Sequence, residues 1–192
     1  MTRRLPIVPT AIVLLAVGVM VALGTWQLQR KAEKEALLAR YGRALTLSSS
    51  VSWPIAEADY ADRLYRHAMV DCIEVRSVEA MAGRSRDGRA GWAQIADCRL
   101  AGGGNAMVAI GWSSEPQPPE WSGGKVEGVI GPAGKGIRLV AGKPEAGLEP
   151  LALPDPANLP NNHLSYAVQW FLFAATALII YALALRKRWR AS

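Results

Sequence analysis

His163 stands at the start of an apolar run, directly after Pro160-Asn161-Asn162. On a helix, residues 163, 166, 167, 170, 173 and 174 share one face. That face carries His163, Tyr166, Ala167, Trp170, Phe173 and Ala174: one imidazole, three aromatics and two small residues. A neutral imidazole can ligate a metal or move a proton. Near the other end of the chain, Gln27 at the close of a second apolar run and Arg30, Lys31 and Lys34 just after it sit at the same depth, and cations there can pair with carboxylates. Plainer readings stand beside these. Asn161 or Asn162 is a natural N-cap, and His163 then only completes a polar helix start. The aromatics fit an interfacial belt or ordinary helix packing, and the cations can reach lipid head groups on their long stems.

Other chemistry is sparse. No GxSxG, HExxH, Walker or GxGxxG motif occurs, and Gly102-Gly103-Gly104-Asn105 lacks the Lys-Ser/Thr of a phosphate cradle. The chain has two histidines, and the second, His67, falls among strand-like residues and reads as a surface side chain. An enzyme therefore has no positive support. Cys72 and Cys98 belong to no CxxC pair. They are either a disulfide, allowed in an oxidising compartment, or two thiols packed as small hydrophobes.

The elements that carry the candidate face are two uncharged stretches, Ile7 to Leu28 and Leu164 to Leu185. Each reaches about 33 Å as a helix, enough for a hydrocarbon core of roughly 30 Å. Trp26, Tyr166 and Trp170 lie near their ends, where interfacial aromatics belong. The first stretch exceeds the apolar core of a cleaved signal peptide. Arg3 and Arg4 precede it, and Arg186, Lys187, Arg188 and Arg190 follow the second. These six equal the formal net charge of +6, so the other basic residues balance the 16 acidic ones, all of which lie between the stretches. Basicity confined to tails beside apolar spans speaks against nucleic acid and places both tails in the cytoplasm. The expected order is a cytoplasmic tail 1–6, a span 7–28, a periplasmic domain 29–163, a span 164–185 and a cytoplasmic tail 186–192.

Residues Arg30 to Arg40 are good helix formers and continue the first span. Strands are expected at His67 to Val78, Trp92 to Leu100, Asn105 to Trp112, Lys125 to Ile130 and Ile137 to Val140. Turns fall at Asp87-Gly88 and Gly102 to Gly104. The proline-rich stretches 113–121 and 149–160 read as extended connectors. The fold class is a membrane protein: a two-helix transmembrane hairpin with an intervening β-rich, antiparallel, barrel-like soluble domain.

Two segments carry a resemblance. Leu23-Gly24-Thr25-Trp26-Gln27-Leu28-Gln29-Arg30 and Asn161-Asn162-His163-Leu164-Ser165-Tyr166-Ala167-Val168-Gln169-Trp170-Phe171 are similar to the terminal signatures of the Surfeit locus protein 1 family, LGxWQxxR and NNHLxYAxxWF. Ser85 to Gly91 and Ile110-Gly111-Trp112 resemble its middle motifs, with Ile110 where the family usually has Arg. The resemblance implies a non-enzymatic assembly factor for haem–copper terminal oxidase in the bacterial inner membrane. Its partners would be lipid, cytochrome c oxidase subunit I and other assembly factors. It implies the handling of haem a, with His163 as candidate iron ligand. Tyr166 and Trp170 would then flank the ring, and our reading adds Arg30 and Lys31 as propionate partners. With one such histidine per chain, two hairpins of a homo-oligomer can share one iron. A scaffold for oxidase subunits that never touches haem fits the same resemblance. A membrane-anchored periplasmic enzyme is the third reading.

Overall fold

A computed structural model describes residues 6–191; the expected tail cations Arg3 and Arg4 lie outside the described residues. The chain divides into two compact units, one of residues 1–37 with 159–192, the other Leu38–Asn158.

The first unit holds most of helix α1, Ile7–Thr46, and the C-terminal helix α3, His163–Ala191. Both are long and apolar enough to cross a membrane, and only 6% of each apolar window is buried. Side chains such as Leu15, Ile12, Ile180 and Leu183 stay exposed, which in water would be a large uncovered patch. The protein is therefore membrane-associated. The tract Arg30 to Arg40 does continue the first helix, and α1 ends at Thr46, where the Ser48–Ser50 run begins.

The second unit is one sheet of five strands: β1 His67–Arg84, β2 Ala90–Leu100, β3 Asn105–Ser113, β4 Gly124–Ala133 and β5 Gly136–Ala141. The strand order closes on itself as β1-β2-β3-β5-β4. Each expected strand is present, extended by a few residues. The sheet is not antiparallel throughout, because β3 and β5 run parallel through Val108↔Leu139 and Ala109↔Val140. Parity explains this. Four successive antiparallel pairings leave β3 and β5 pointing the same way, so an odd ring must contain one parallel pair.

β1 changes partner along its length. Residues His67 to Cys72 pair with β4, and Cys72 onward pair with β2, with register shifts between Cys72 and Glu74 and between Val75 and Ser77. Cys72 is the residue that pairs on both sides, and it forms a disulfide with Cys98. The open question about the cysteines is thus resolved in favour of the bond. Inside, Ala68, Val70, Cys72, Val108, Ile110, Val126, Ile130 and Leu139 fill the core. Each large aliphatic buried there contributes about 2 kcal/mol.

β3 is buried from Val108 through Trp112 on both faces, because the segment before Leu151 covers its outer side. Glu145 and Trp112 donate N–H bonds to the carbonyls of Ile110 and Glu149, and a Cβ at Gly111 would come within 2.5 Å of Leu148. The connector after β3 has no regular structure; fully buried Gln94 holds it through Ser113 Oγ at 2.9 Å and the carbonyls of Glu115 and Gln117. A 3-10 turn, Glu57–Asp59, and the short helix α2, Tyr60–Arg63, lead into Tyr65. Tyr65 adopts φ +62°, is 2% exposed and packs its ring 4.7 Å from that of Tyr41.

Replacing Cys72 and Cys98 with serine removes a cross-link over a separation of 26 residues. The unfolded chain then gains entropy, and the domain is expected to lose about 3.5 kcal/mol, read as a lower denaturation midpoint in urea. Burial, then Tyr41 and Asp155, raise the Tyr65 phenol above its ordinary value. The folded state therefore keeps a proton that the unfolded state releases near pH 10. Stability is full below about pH 10 and falls as the pH rises toward the folded value. Tyr65→Phe should flatten that alkaline loss in pH-dependent thermal melts.

Candidate functional site in the helix pair

α1 and α3 meet along a seam with a heptad-like spacing. On α1 the less exposed positions include Thr10, Val13, Val17, Met20, Gly24, Gln27, Lys31 and Lys34, alternating three and four residues apart. On α3 they include His163, Ala167, Trp170, Ala174, Ala177 and Tyr181. Such spacing keeps a narrow stripe facing a partner helix. Thr10 Oγ1 hydrogen-bonds Tyr181 Oη near one end, and Gln27 meets His163 near the other, so the helices run antiparallel. Between them, Gly24 is buried, and a Cβ there would stand 2.7 Å from the Phe171 ring. Glycine thus lets the aromatic edge approach the α1 backbone.

The imidazole sits at the first residue of α3, and Tyr166 N–H donates to the Asn162 carbonyl at 3.3 Å, the first turn of the helix. His163 Nδ1 lies 2.7 Å from Gln27 Oε1. An amide oxygen only accepts, so Nδ1 donates; in the neutral ring this leaves the lone pair on Nε2. Nε2 has no protein partner among the described residues. The side-chain oxygen of Asn161, two residues earlier in the chain, is buried and also without a partner among the described residues. His163 borders a groove of about 430 Å³ whose other walls are Trp26, Arg30, Glu33, Lys34 and Leu37. These α1 residues lie one helical turn apart on one face.

The sequence-expected residues do not all converge here. His163, Ala167, Trp170 and Ala174 face the seam, whereas Tyr166 and Phe173 are 51% and 56% exposed on its flank. The Trp170 ring meets Phe173 edge-on at 6.1 Å. Arg30 lines the groove, pairs with Glu33 at 2.7 Å and lies 5.7 Å from the centre of the Trp26 ring. Lys31 pairs with Glu35 at 2.6 Å and is not part of the groove wall. Lys34 is part of it and has no ion pair among the described residues. From the sequence alone Gln27 and Lys34 are only neighbours of Arg30 and Lys31 at the same depth. The three-four spacing from Thr10 to Lys34 was the signal that would have set Gln27 against the partner helix.

The β unit carries a larger groove, about 590 Å³, bordered by His67, Met69, Lys125, Glu127, Lys143, Glu145 and Leu153. Among the described residues no three His, Cys, Asp or Glu side chains cluster as a metal cage. Elsewhere in that unit, the two middle motifs form one structure. Ser85 is buried and its Oγ accepts the Arg89 N–H; Arg89 lies over the Trp112 ring at 4.5 Å and pairs with Glu149. Gly91 packs against the same ring, since a Cβ there would come within 2.4 Å of it. Ile110 is fully buried, where an arginine would have to find a partner inside the core.

Residues 14–175 match the SURF1 family, a span that takes in both signatures, the sheet and most of the seam. The chain belongs to the SURF1 family. No match was found among curated proteins. The family is linked to cytochrome oxidase assembly, and its members are assembly factors rather than known enzymes.

A bulky residue at the crossing point should separate the helices of this SURF1-family hairpin. Gly24→Leu is expected to cost about 1–3 kcal/mol by overpacking against Phe171. Phe171→Ala should recover part of the loss in the double variant. Thermal melts of the four proteins in detergent, arranged as a double-mutant cycle, check this.

Proposed function

We propose that the protein binds haem a at His163 and aids its delivery to cytochrome c oxidase subunit I during assembly. The observation that carries the reading is the Gln27–His163 pair at the head of the groove. It leaves Nε2 as an uncommitted donor at a helix end between apolar faces. The donor set suits haem better than a bare metal ion. No multi-residue cage exists among the described residues, and a porphyrin iron needs only axial ligands from protein.

When bound, haem a would supply an iron that takes an imidazole lone pair, two carboxylates and a long apolar tail. His163 would hold the iron, and Trp26 and Trp170 would offer apolar ring contact. Arg30 and Lys34 would neutralise the propionates, with Lys34 taking the place first given to Lys31. The Arg30–Glu33 pair is more than half exposed on both sides and worth at most about 0.5 kcal/mol, so a carboxylate can displace it. Tyr166, exposed beside the site, would face lipid or the client subunit.

The same reading places both tails in the cytoplasm and the β unit in the periplasm, with the inner membrane between. The Cys72–Cys98 disulfide supports an oxidising compartment for that unit. Basic residues after α3's apolar stretch support a cytoplasmic C-terminus. Each chain brings one histidine to the membrane edge, so a second axial protein ligand would come from a second copy or from the client.

The test is co-expression with haem a biosynthesis, purification in detergent, and the reduced absorption spectrum beside that of His163→Ala. A haem a band in the wild type, lost in the variant with helicity unchanged by circular dichroism, is the expected outcome. Oxidase assembly that survives His163→Ala would favour a scaffold without haem.

A further inference from the structure

We propose that Gln27 is the positioning residue for His163: its side-chain oxygen fixes the imidazole as the Nδ1–H tautomer and directs Nε2 toward a ligand. The inference rests on the haem reading for the identity of that ligand, but the tautomer lock is a property of the free protein.

The geometry is specific. Gln27 occupies a seam position, and Nδ1···Oε1 is 2.7 Å, short for a contact between neutral groups. The two residues come from different helices and are far apart in the chain, so no local turn forces them together. Gly24 lies one helical turn before Gln27, and the tight Gly24–Phe171 approach there lets the α1 side chain reach the ring. Among the described residues neither side chain has another hydrogen bond, so the pair is mutually dependent. Where water is scarce, an unpaired amide and an unpaired imidazole would each carry a desolvation cost, which favours the joined state.

The chemical consequence concerns ligand strength. Histidines that hold metals commonly donate their second N–H to a carboxylate or carbonyl, and that acceptor sets ring orientation and basicity. A carboxylate pulls the proton strongly and makes the imidazole a tighter ligand. An amide oxygen orients the ring equally well and polarises it less. Gln27 thus makes His163 an oriented ligand of moderate strength, the property required of a carrier that must release its cargo. A glutamate at the same position would convert it toward a storage site.

The experiment uses the full chain in detergent micelles with nitrogen-15 histidine. The chain has two histidines, so His67→Gln assigns the spectrum. Spectra are recorded at alkaline pH, because the two nitrogens of a neutral imidazole are distinguishable. The expected wild-type spectrum has a pyridine-like Nε2 and a protonated Nδ1. Gln27→Leu should give a mixture of tautomers, and Gln27→Glu should retain the lock. A wild-type ring protonated on Nε2, or a ring unchanged in Gln27→Leu, would overturn the positioning role. With haem a added, Gln27→Leu should bind about 10- to 100-fold more weakly. Gln27→Glu should lower the haem midpoint potential and slow transfer to apomyoglobin. Equal transfer rates for Gln27→Glu and wild type would overturn the tuning argument. A lock intact in the free protein together with no haem bound would instead sink the haem reading and leave the positioning role standing.

Discussion

An amide and an imidazole, joined between two otherwise apolar helices, tie the candidate site to the packing of the whole pair. In hydrocarbon there is no water to accept a stray N–H, so polar atoms in such a seam must find each other across it. The seam has one such link near each end, Thr10 with Tyr181 and Gln27 with His163. Between them Val13, Val17, Met20 and Gly24 of α1 lie on the seam with Ala167, Trp170, Ala174 and Ala177 of α3, apolar side chains that give little register. The hydrogen bonds supply the register. The orientation of the imidazole is therefore set by how the helices align along their length.

The β unit obeys a different constraint. Its sheet closes with five strands, and closure removes the exposed edges through which open sheets associate. The cost of closing an odd number is one parallel pair, and it is short, confined to Val108–Ala109 against Leu139–Val140. β1 makes closure feasible by leaving β4 at Cys72 and continuing beside β2 through two register shifts. The disulfide sits at that branch point. The Arg89–Trp112–Gly91 arrangement then anchors the far hairpin tip to β3 and to Glu149.

Membership of the SURF1 family makes both units intelligible as parts of an assembly factor. The buried polar groups hold loops in place, as Gln94 does for the proline-rich connector and Ser85 for the hairpin tip. Among the described residues, polar atoms without a partner occur in both units: Nε2 of His163 and the Asn161 oxygen in the first, and Arg66 Nε, Gln94 Oε1 and Trp112 Nε1 in the second.

The sequence by itself determined the two apolar helices, because uncharged stretches of that length have few other fates. It determined the strand positions, since alternation in His67 to Cys72 and glycines at 88, 103 and 104 with positive φ are local matters. It also determined that His163 begins a helix, through Asn162 and the apolar run behind it. The tertiary structure decided which residues meet. A six-residue helical face drawn from His163 to Ala174 included Tyr166 and Phe173, but a crossing helix covers a narrower stripe, which left those two exposed. Lys31 and Lys34 are alike in sequence; Lys34 borders the groove and Lys31 does not, since Lys34 lies one helical turn after Arg30 on the groove face. The parallel pair, the disulfide and the Gln27–His163 bond all join positions distant along the chain. Local propensity has no means of encoding such pairs, because each depends on where closure and helix alignment bring its partner.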